Sequence, residues 1–225
     1  MPIRAISFDL DDTFWPIRPV IERAERRLKQ WIAQRHPELV DHFTPERLLA
    51  LRDTVLAENP GFAHDLSMLR RLTLKLAMRP AGCTEQDVEE AFEVFFSARN
   101  EVQLYPDVQP ALEALASRYR LITLSNGNAD VHRIGLGHFF EASIAARDVG
   151  VAKPAPAIFE HAVAELDLAP HEVLHVGDDL ESDVAGALRA GLAAVWVNRD
   201  TAQGGQQPVP VVRTLAELPD LLTAR

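Results

Sequence analysis

The chain has 225 residues, 47% of them hydrophobic and 25% charged, which fits a globular protein of one large domain, or a core with a smaller insertion, and excludes a mainly disordered chain. Acidic residues outnumber basic ones by 33 to 23, and the net charge of -10 argues against nucleic acid or an anionic membrane surface as partner, while a small anion can still be held where the field is locally positive. Cys83 is the single cysteine, so no intramolecular disulfide can form. No signal-peptide layout and no apolar run near the roughly 20 residues that span a bilayer are visible, and a cytoplasmic protein, monomer or homodimer, is expected.

In chain order, Ile3 to Phe8 is short and β-prone and reads as a buried strand that delivers Asp9 to a sheet edge. Pro16 and Pro19 then break the path, and the signals up to Glu101 are helical. Ile21, Ala24, Leu28 and Trp31/Ile32 recur at three-to-four spacing, as on an amphipathic helix. Thr44 caps a helix that has Pro45 at its first position. Another helix is expected from about Ala63 to Met78, and Thr84 caps one ending near Ala98.

Beyond Pro106 helices and strands alternate. Val108–Ser117, Ala155–Leu166 and Asp183–Ala190 read as helices, and Arg120–Leu124, Ala142–Ala146, Val173–Val176 and Ala193–Val197 as strands. This alternation predicts parallel βαβ units with right-handed crossovers. The expected fold is α/β: a Rossmann-like, doubly wound parallel sheet formed by residues 1–15 and 103–225, with an all-helical domain inserted at 16–102. Gln203-Gly204-Gly205-Gln206-Gln207 reads as a flexible loop.

Open parallel sheets bind ligands beyond the carboxyl ends of their strands, and four groups of residues fall there. Asp9 and Asp11 follow the first strand, two apart; extended backbone aims both to one side, and two close carboxylates call for a hard cation such as Mg²⁺. One could then serve as nucleophile and the other as acid and base; an acidic turn at a strand end is the plainer alternative. Ser125, Asn126 and Gly127 follow the next strand, where a hydroxyl and backbone N–H groups can hold a phosphoryl oxygen, though Ser-Asn-Gly is also ordinary turn chemistry. Only three of the 23 basic residues are lysines, and Lys153 stands before a helix-starting proline, as a compact point charge or by chance. Gly177, Asp178, Asp179 and Asp183 follow the Val173–Val176 strand; Asp178 would complete a metal site, whereas Asp183 near a helix start is also simply stabilising.

The series Asp9-Leu10-Asp11-Asp12-Thr13, Ser125-Asn126-Gly127, Lys153-Pro154 and Gly177-Asp178-Asp179 with Asp183 resembles the four motifs of the haloacid dehalogenase superfamily, across roughly residues 3–15 and 105–200. The resemblance implies that the helical insertion is a cap, that Asp9 is the nucleophile and Asp11 the general acid and base, and that Ser125, with Asn126 and Gly127, binds the phosphoryl group. It implies that Lys153 neutralises charge between Asp9 and phosphate. Mg²⁺ would be held by Asp9, Asp178 and the Asp11 carbonyl, with Asp183 supporting its water shell and Asp179 in the first or second shell. Arg18-Pro19-Val20-Ile21, the run Thr123 to Ala129 and Leu174-His175-Val176 further resemble the bacterial flavin mononucleotide phosphatase branch, whose members also act on the ribitylaminouracil phosphate of riboflavin synthesis.

The expected activity is therefore hydrolysis of a small phosphomonoester, with FMN or that precursor as substrate. Phe14 and Trp15 could stack on a flat substrate ring or simply pack in the core, and His64 and Arg70 on one helix could reach substrate or lie on a solvated face. Other readings are a phosphatase of nucleotides, phosphoglycolate or sugar phosphates, a phosphosugar mutase, or a non-catalytic binding domain. Asp11 argues against a dehalogenase, which has no leaving alcohol to protonate, and against a phosphonate hydrolase using Lys29 or Lys75.

Overall fold

The computed structural model describes residues 2–200 and 208–223, so the expected loop at Gln203 to Gln207 lies outside the described residues. In chain order the elements are β1 Ala5–Phe8, α1 Ile17–Arg35, α2 Pro45–Glu58, α3 Leu66–Met78, α4 Glu85–Arg99, α5 Val108–Ala116, β2 Arg120–Ser125, α6 Val131–Ile134, β3 Ala142–Ala145, α7 Ala146–Val149, α8 Pro156–Glu165, β4 Val173–Gly177, α9 Gly186–Arg189, β5 Ala193–Val197, β6 Val211–Val212 and α10 Leu218–Thr223. The chain divides into two compact units, residues 1–16 with 103–225, and residues 17–102.

The first unit is a Rossmann-like α/β fold. Its sheet has six parallel strands in the order β3-β2-β1-β4-β5-β6. Strand order reverses between β1 and β4, so a crevice opens beyond their carboxyl ends. Parallel strands covered on both faces need side chains that are apolar in both directions, and Ala5 to Phe8 and Val173 to Gly177 are buried along their whole length. Register places Phe8 opposite Thr123 on one side and Val176 on the other, which aligns the ends of β1, β2 and β4. Apolar residues of α8 (Ile158, Phe159, Ala162) pack with Ile122, Leu124 and Trp196 into the core under the sheet.

The second unit contains only helices among its described residues. Ala24, Leu28 and Ile32 of α1 meet Leu74 and Met78 of α3 and Phe92 and Phe95 of α4 in its core. Two starts are set by side chains: Thr44 accepts from the Arg47 N–H, and Thr84 forms a reciprocal capping box with Asp87.

Two expectations are corrected. His64 is not on a helix with Arg70: Asp65 accepts from the Met68 N–H and starts α3 one residue later, leaving His64 in the preceding turn. The segment expected as a helix from Asp183 to Ala190 is a π-helical turn, Leu180–Ala185, running into α9, because the Asp179 carboxylate accepts from the N–H groups of Glu181 and Ser182 and starts the turn early.

Ile6, fully buried in the central strand β1, tests the packing of the first unit. Ile6→Ala is expected to cost about 2–5 kcal/mol and lower Tm by roughly 5–15 °C. A calorimetric change of less than about 1 kcal/mol would show the sheet core to be loosely packed.

Candidate active site

The loop after β1 folds back on itself. Asp9 N–H extends the ladder to Val176 O at 2.9 Å, Phe14 N–H donates to Leu10 O at 2.7 Å and Asp12 N–H to Trp15 O at 2.8 Å. Asp12 takes the left-handed conformation at φ 59°, which Asp tolerates better than most side chains. The reversal directs Thr13 Oγ1 to Asp178 Oδ1, 2.9 Å away, with Asp9 Oδ2 at 3.4 Å. A hydroxyl has one hydrogen, so the shorter bond to Asp178 takes it. Arg199, just after β5, holds the same loop from outside: its Nε and Nη2 donate to Thr13 O, and its two Nη atoms form a paired ion bridge with Asp107. Thr13 closes the first motif, whereas Arg199 is a tether that motif spacing does not reveal.

Lys153 lies at the centre. Its Nζ donates to Asp9 Oδ1 and to Asp183 Oδ1, each at 2.6 Å, and its side chain is 2% exposed. The residue is aimed by Asn126, whose Oδ1 accepts from Lys153 N–H at 2.7 Å and whose Nδ2 donates to Lys153 O at 2.9 Å. Both ends of the Asn126 side-chain amide are thus spent on Lys153 backbone. Ser125, buried at the end of β2, accepts on Oγ from the Gly127 N–H at 2.9 Å, which shapes the Ser125-Asn126-Gly127 turn.

Asp183 is the second anchor. Its Oδ1 takes Lys153 and His175 Nε2 (3.1 Å), and its Oδ2 takes Asp179 N–H at 3.0 Å. Gly177 is required here, because a Cβ at that position would collide with the Asp183 carboxylate. His175, fully buried on β4, also meets Ser7 Oγ at 3.0 Å. A carboxylate only accepts, so Nε2 carries the hydrogen and Nδ1 accepts from Ser7. A polar residue inside the apolar run of β4 was the one signal of this contact in the sequence.

The electrostatics follow from burial and from one cation. Burial pushes the Asp9 carboxyl well above the usual carboxylate range; Lys153 opposes this, and Asp183 and Asp178 add to it. Asp178 is pushed up to about 7 by burial and by Asp183. Asp183 goes the other way: against burial, Lys153 and the His175 bond hold it below the usual range. Burial lowers His175, keeping it neutral, while Asp9 and Asp183 raise Lys153 against its own burial.

Carboxylate oxygens of Asp9, Asp178 and Asp183 all lie within 4.8 Å of one another. With all three ionised, one ammonium leaves two negative charges uncompensated. An all-oxygen donor set with that deficit fits a hard divalent cation such as Mg²⁺. Asp183 already has partners on both oxygens, so it supports the cluster more than it offers a ligand.

The remaining expected site residues are placed as follows. Asp11 is half-buried and its Oδ1 accepts from Trp15 Nε1 at 3.0 Å. The Asp179 carboxylate caps the Glu181–Ser182 turn through Oδ1 and stands outside the three-carboxylate cluster. Phe14 and Trp15 are fully buried, and Phe14 packs against Phe8, Trp15 and Phe140, as the core-packing alternative expects. In the helical unit, Arg70 is spent on Glu25 Oε1 at 2.7 Å and on the Phe95 ring at 3.9 Å, and His64 is half-buried. That unit also has a cavity of about 350 Å³ lined by residues including Lys75, Arg79 and Cys83, none of which belongs to the carboxylate cluster.

Residues 3–191 match the haloacid dehalogenase-like hydrolase family. The chain is 35% identical over 199 residues, 87% of its length and 83% of the relative's, to the 5-amino-6-(5-phospho-D-ribitylamino)uracil phosphatase YigB of Escherichia coli (strain K12). It is 32% identical to a phosphoserine phosphatase of Thermus thermophilus, over 78% of this chain and 72% of that one. A crystal structure of a 2-haloacid dehalogenase from Pseudomonas syringae pv. Tomato DC3000 superposes with a TM-score of 0.92 at 38% identity, covering 99% of both chains. No helix among the described residues is long and apolar enough to cross a membrane. With its parallel sheet, its buried carboxylates beyond the ends of β1 and β4 and this match over most of its length, the chain is an enzyme that belongs to the haloacid dehalogenase-like hydrolase family.

Proposed function

We propose that the chain is a Mg²⁺-dependent phosphatase of a small phosphomonoester, working through an aspartyl-phosphate on Asp9. The observation that carries this reading is a second carboxylate, Asp11, two residues beyond the buried Asp9–Lys153 pair and fixed by a hydrogen bond of its own. Departure of an alcohol needs a proton, and departure of a halide does not.

In this reading Asp9 Oδ2 attacks phosphorus in line while Lys153 stays on Oδ1, and the bond from phosphorus to the leaving oxygen breaks. Asp11 gives its proton to that oxygen. It then takes a proton from the water that attacks phosphorus, and the bond between phosphorus and Asp9 breaks, restoring the Asp9 carboxylate and the protonated Asp11. Lys153 offsets charge on the phosphoryl oxygens, and the Ser125 hydroxyl, whose Oγ accepts from the Gly127 N–H, would donate to one of them. Asp9, Asp178 and the Asp11 carbonyl would hold Mg²⁺, with Asp183 behind them, and the ion would supply further charge neutralisation.

For substrate, we read the ester as a primary phosphate on a ribityl chain, as in ribitylaminouracil phosphate or FMN. The 35% identity to the Escherichia coli enzyme over 87% of the chain supports this. The helical unit, residues 17–102, is read as the cap that selects it. A second reading, hydrolysis of a 2-haloacid, is favoured by the likeness to the Pseudomonas syringae structure.

The first test measures phosphate release from p-nitrophenyl phosphate, FMN and ribitylaminouracil phosphate, and halide release from 2-chloropropionate. Mg²⁺-dependent phosphate release that falls at least about 10³-fold in Asp9→Asn is expected. Halide release without phosphate release would transfer the chain to the second reading.

A second test uses the raised Asp178. In the cation-free protein this group keeps a proton up to about pH 7, whereas in the unfolded chain it has lost it above its ordinary value of 3.8. The native state therefore binds more protons between those values, and its stability falls as pH rises through them. A cation must displace that proton at acidic pH but not at alkaline pH. Mg²⁺ at about 100 times its Kd is expected to raise Tm by roughly 5–10 °C near pH 8 and by less than half as much near pH 5.5. An equal or larger shift at the acidic pH would contradict the assignment.

A further inference from the structure

Two ties on Asp178 lead to the exit of β5, a part of the chain that lies outside the four motifs. Trp196, on β5, donates from Nε1 to the Asp178 carbonyl at 2.7 Å and fixes the backbone. The side chain is tied by Thr13 Oγ1, which donates to Asp178 Oδ1 at 2.9 Å. Thr13 is fully buried, and its peptide link to Phe14 is held on both sides. The Phe14 N–H donates to Leu10 O, and the Thr13 carbonyl takes Arg199 Nε at 3.1 Å and Nη2 at 2.8 Å. Arg199 is in turn fixed by Asp107, at 3.1 and 3.0 Å, and by the Tyr105 ring, 3.9 Å from the centre of the guanidinium. The Leu215 N–H holds Asp107 Oδ2 at 2.7 Å.

We propose that Arg199 is a positioning residue for the divalent cation: locked by Asp107, it sets the Thr13 hydroxyl, and that hydroxyl holds the Asp178 carboxylate where the ion binds. Carboxylate oxygens of Asp9, Asp178 and Asp183 lie within 4.8 Å of one another, so their repulsion works to swing Asp178 outward before an ion arrives. A ligand already held against that repulsion need not be reorganised on binding, which is how partners behind the ligands raise metal affinity. The sign of the effect separates position from field. Arg199 is itself a cation, and through space a cation weakens the binding of another. Acting through Thr13, it strengthens that binding. The proposal rests on the Mg²⁺ reading of the site and assigns Arg199 no contact with ion or substrate.

The test measures the Kd of Mg²⁺ by titration calorimetry, without substrate, at alkaline pH and well below Tm. Arg199→Gln removes the charge and the fork. Arg199→Lys keeps the charge, but one ammonium cannot reproduce the fork that spans the Thr13 carbonyl and both Asp107 oxygens. Kd is expected to rise about tenfold in both variants. Thr13→Val removes the hydroxyl and is expected to raise Kd at least as far, and adding Arg199→Lys to Thr13→Val is expected to raise it no further.

A lower Kd in Arg199→Gln with an unchanged Kd in Arg199→Lys would mean that the arginine acts only through its field, and the proposal is overturned. It is overturned equally if both variants lower the Tm of the cation-free protein and leave Kd unchanged, since the role is then packing alone. Full additivity of Arg199→Lys with Thr13→Val would show a route that bypasses the hydroxyl and has the same consequence. If Arg199→Gln does not fold, Arg199→Lys decides by itself, because field alone predicts no change and positioning predicts the tenfold loss. Absence of Mg²⁺ binding by the wild type would instead remove the Mg²⁺ reading, and the proposal with it.

Discussion

A buried ammonium holds this site together. Lys153 Nζ sits 2.6 Å from both Asp9 and Asp183, almost without access to solvent. Burying one charge is costly, and the cost is met only when partners surround it. Lys153 has two carboxylates, and each is further constrained. Asp183 is held by His175 and by the Asp179 N–H, and Asp9 continues the β1–β4 ladder through its own N–H. Removing the lysine would leave three close carboxylates with no protein cation between them. The arrangement thus depends on the parallel sheet, which brings the ends of β1 and β4 side by side.

The loop from Asp9 to Trp15 carries the second half of the design. Its left-handed Asp12 and its internal hydrogen bonds turn Thr13 back toward Asp178 and Trp15 back toward Asp11. Arg199 clamps it from β5 and Asp107 locks that arginine. Asp9 and Asp11 are therefore in unlike surroundings despite their proximity in the chain. One is deeply buried beside an ammonium; the other is half-buried under an indole N–H. Dissimilar environments are what separate the roles of two carboxylates in one site.

Much of the fold was legible because its signals are local. Apolar runs ending in Asp or Gly marked β1 and β4, alternation with helices marked the parallel sheet, and Thr44 and Thr84 marked helix starts through their capping bonds. Two-residue β6 is too short for any such signal. Within the site, the positions of Asp9, Asp178, Lys153 and Asp183 after strands could be read from motif order. Their partners could not. Asn126 reaches Lys153 across 27 residues of chain, and His175 reaches Ser7 across 168, so only the folded register joins them. Asp179 and Asn126 show what motif order hides: their side chains satisfy backbone groups that the fold left open. Phe14 and Trp15 were ambiguous because an aromatic pair beside a site suits stacking and packing alike, and only burial separates the two.

The account turns on Asp9 forming a covalent bond to phosphorus. The direct measurement is rapid acid quench of the wild-type enzyme during turnover of a phosphomonoester with Mg²⁺, followed by borohydride reduction and peptide mass spectrometry. An acyl phosphate on Asp9 is reduced to homoserine, so homoserine at position 9, dependent on substrate, is the predicted result. Sustained phosphate release with Asp9 unmodified at every quench time, and homoserine nowhere else, would mean that water attacks the ester directly and would contradict the account.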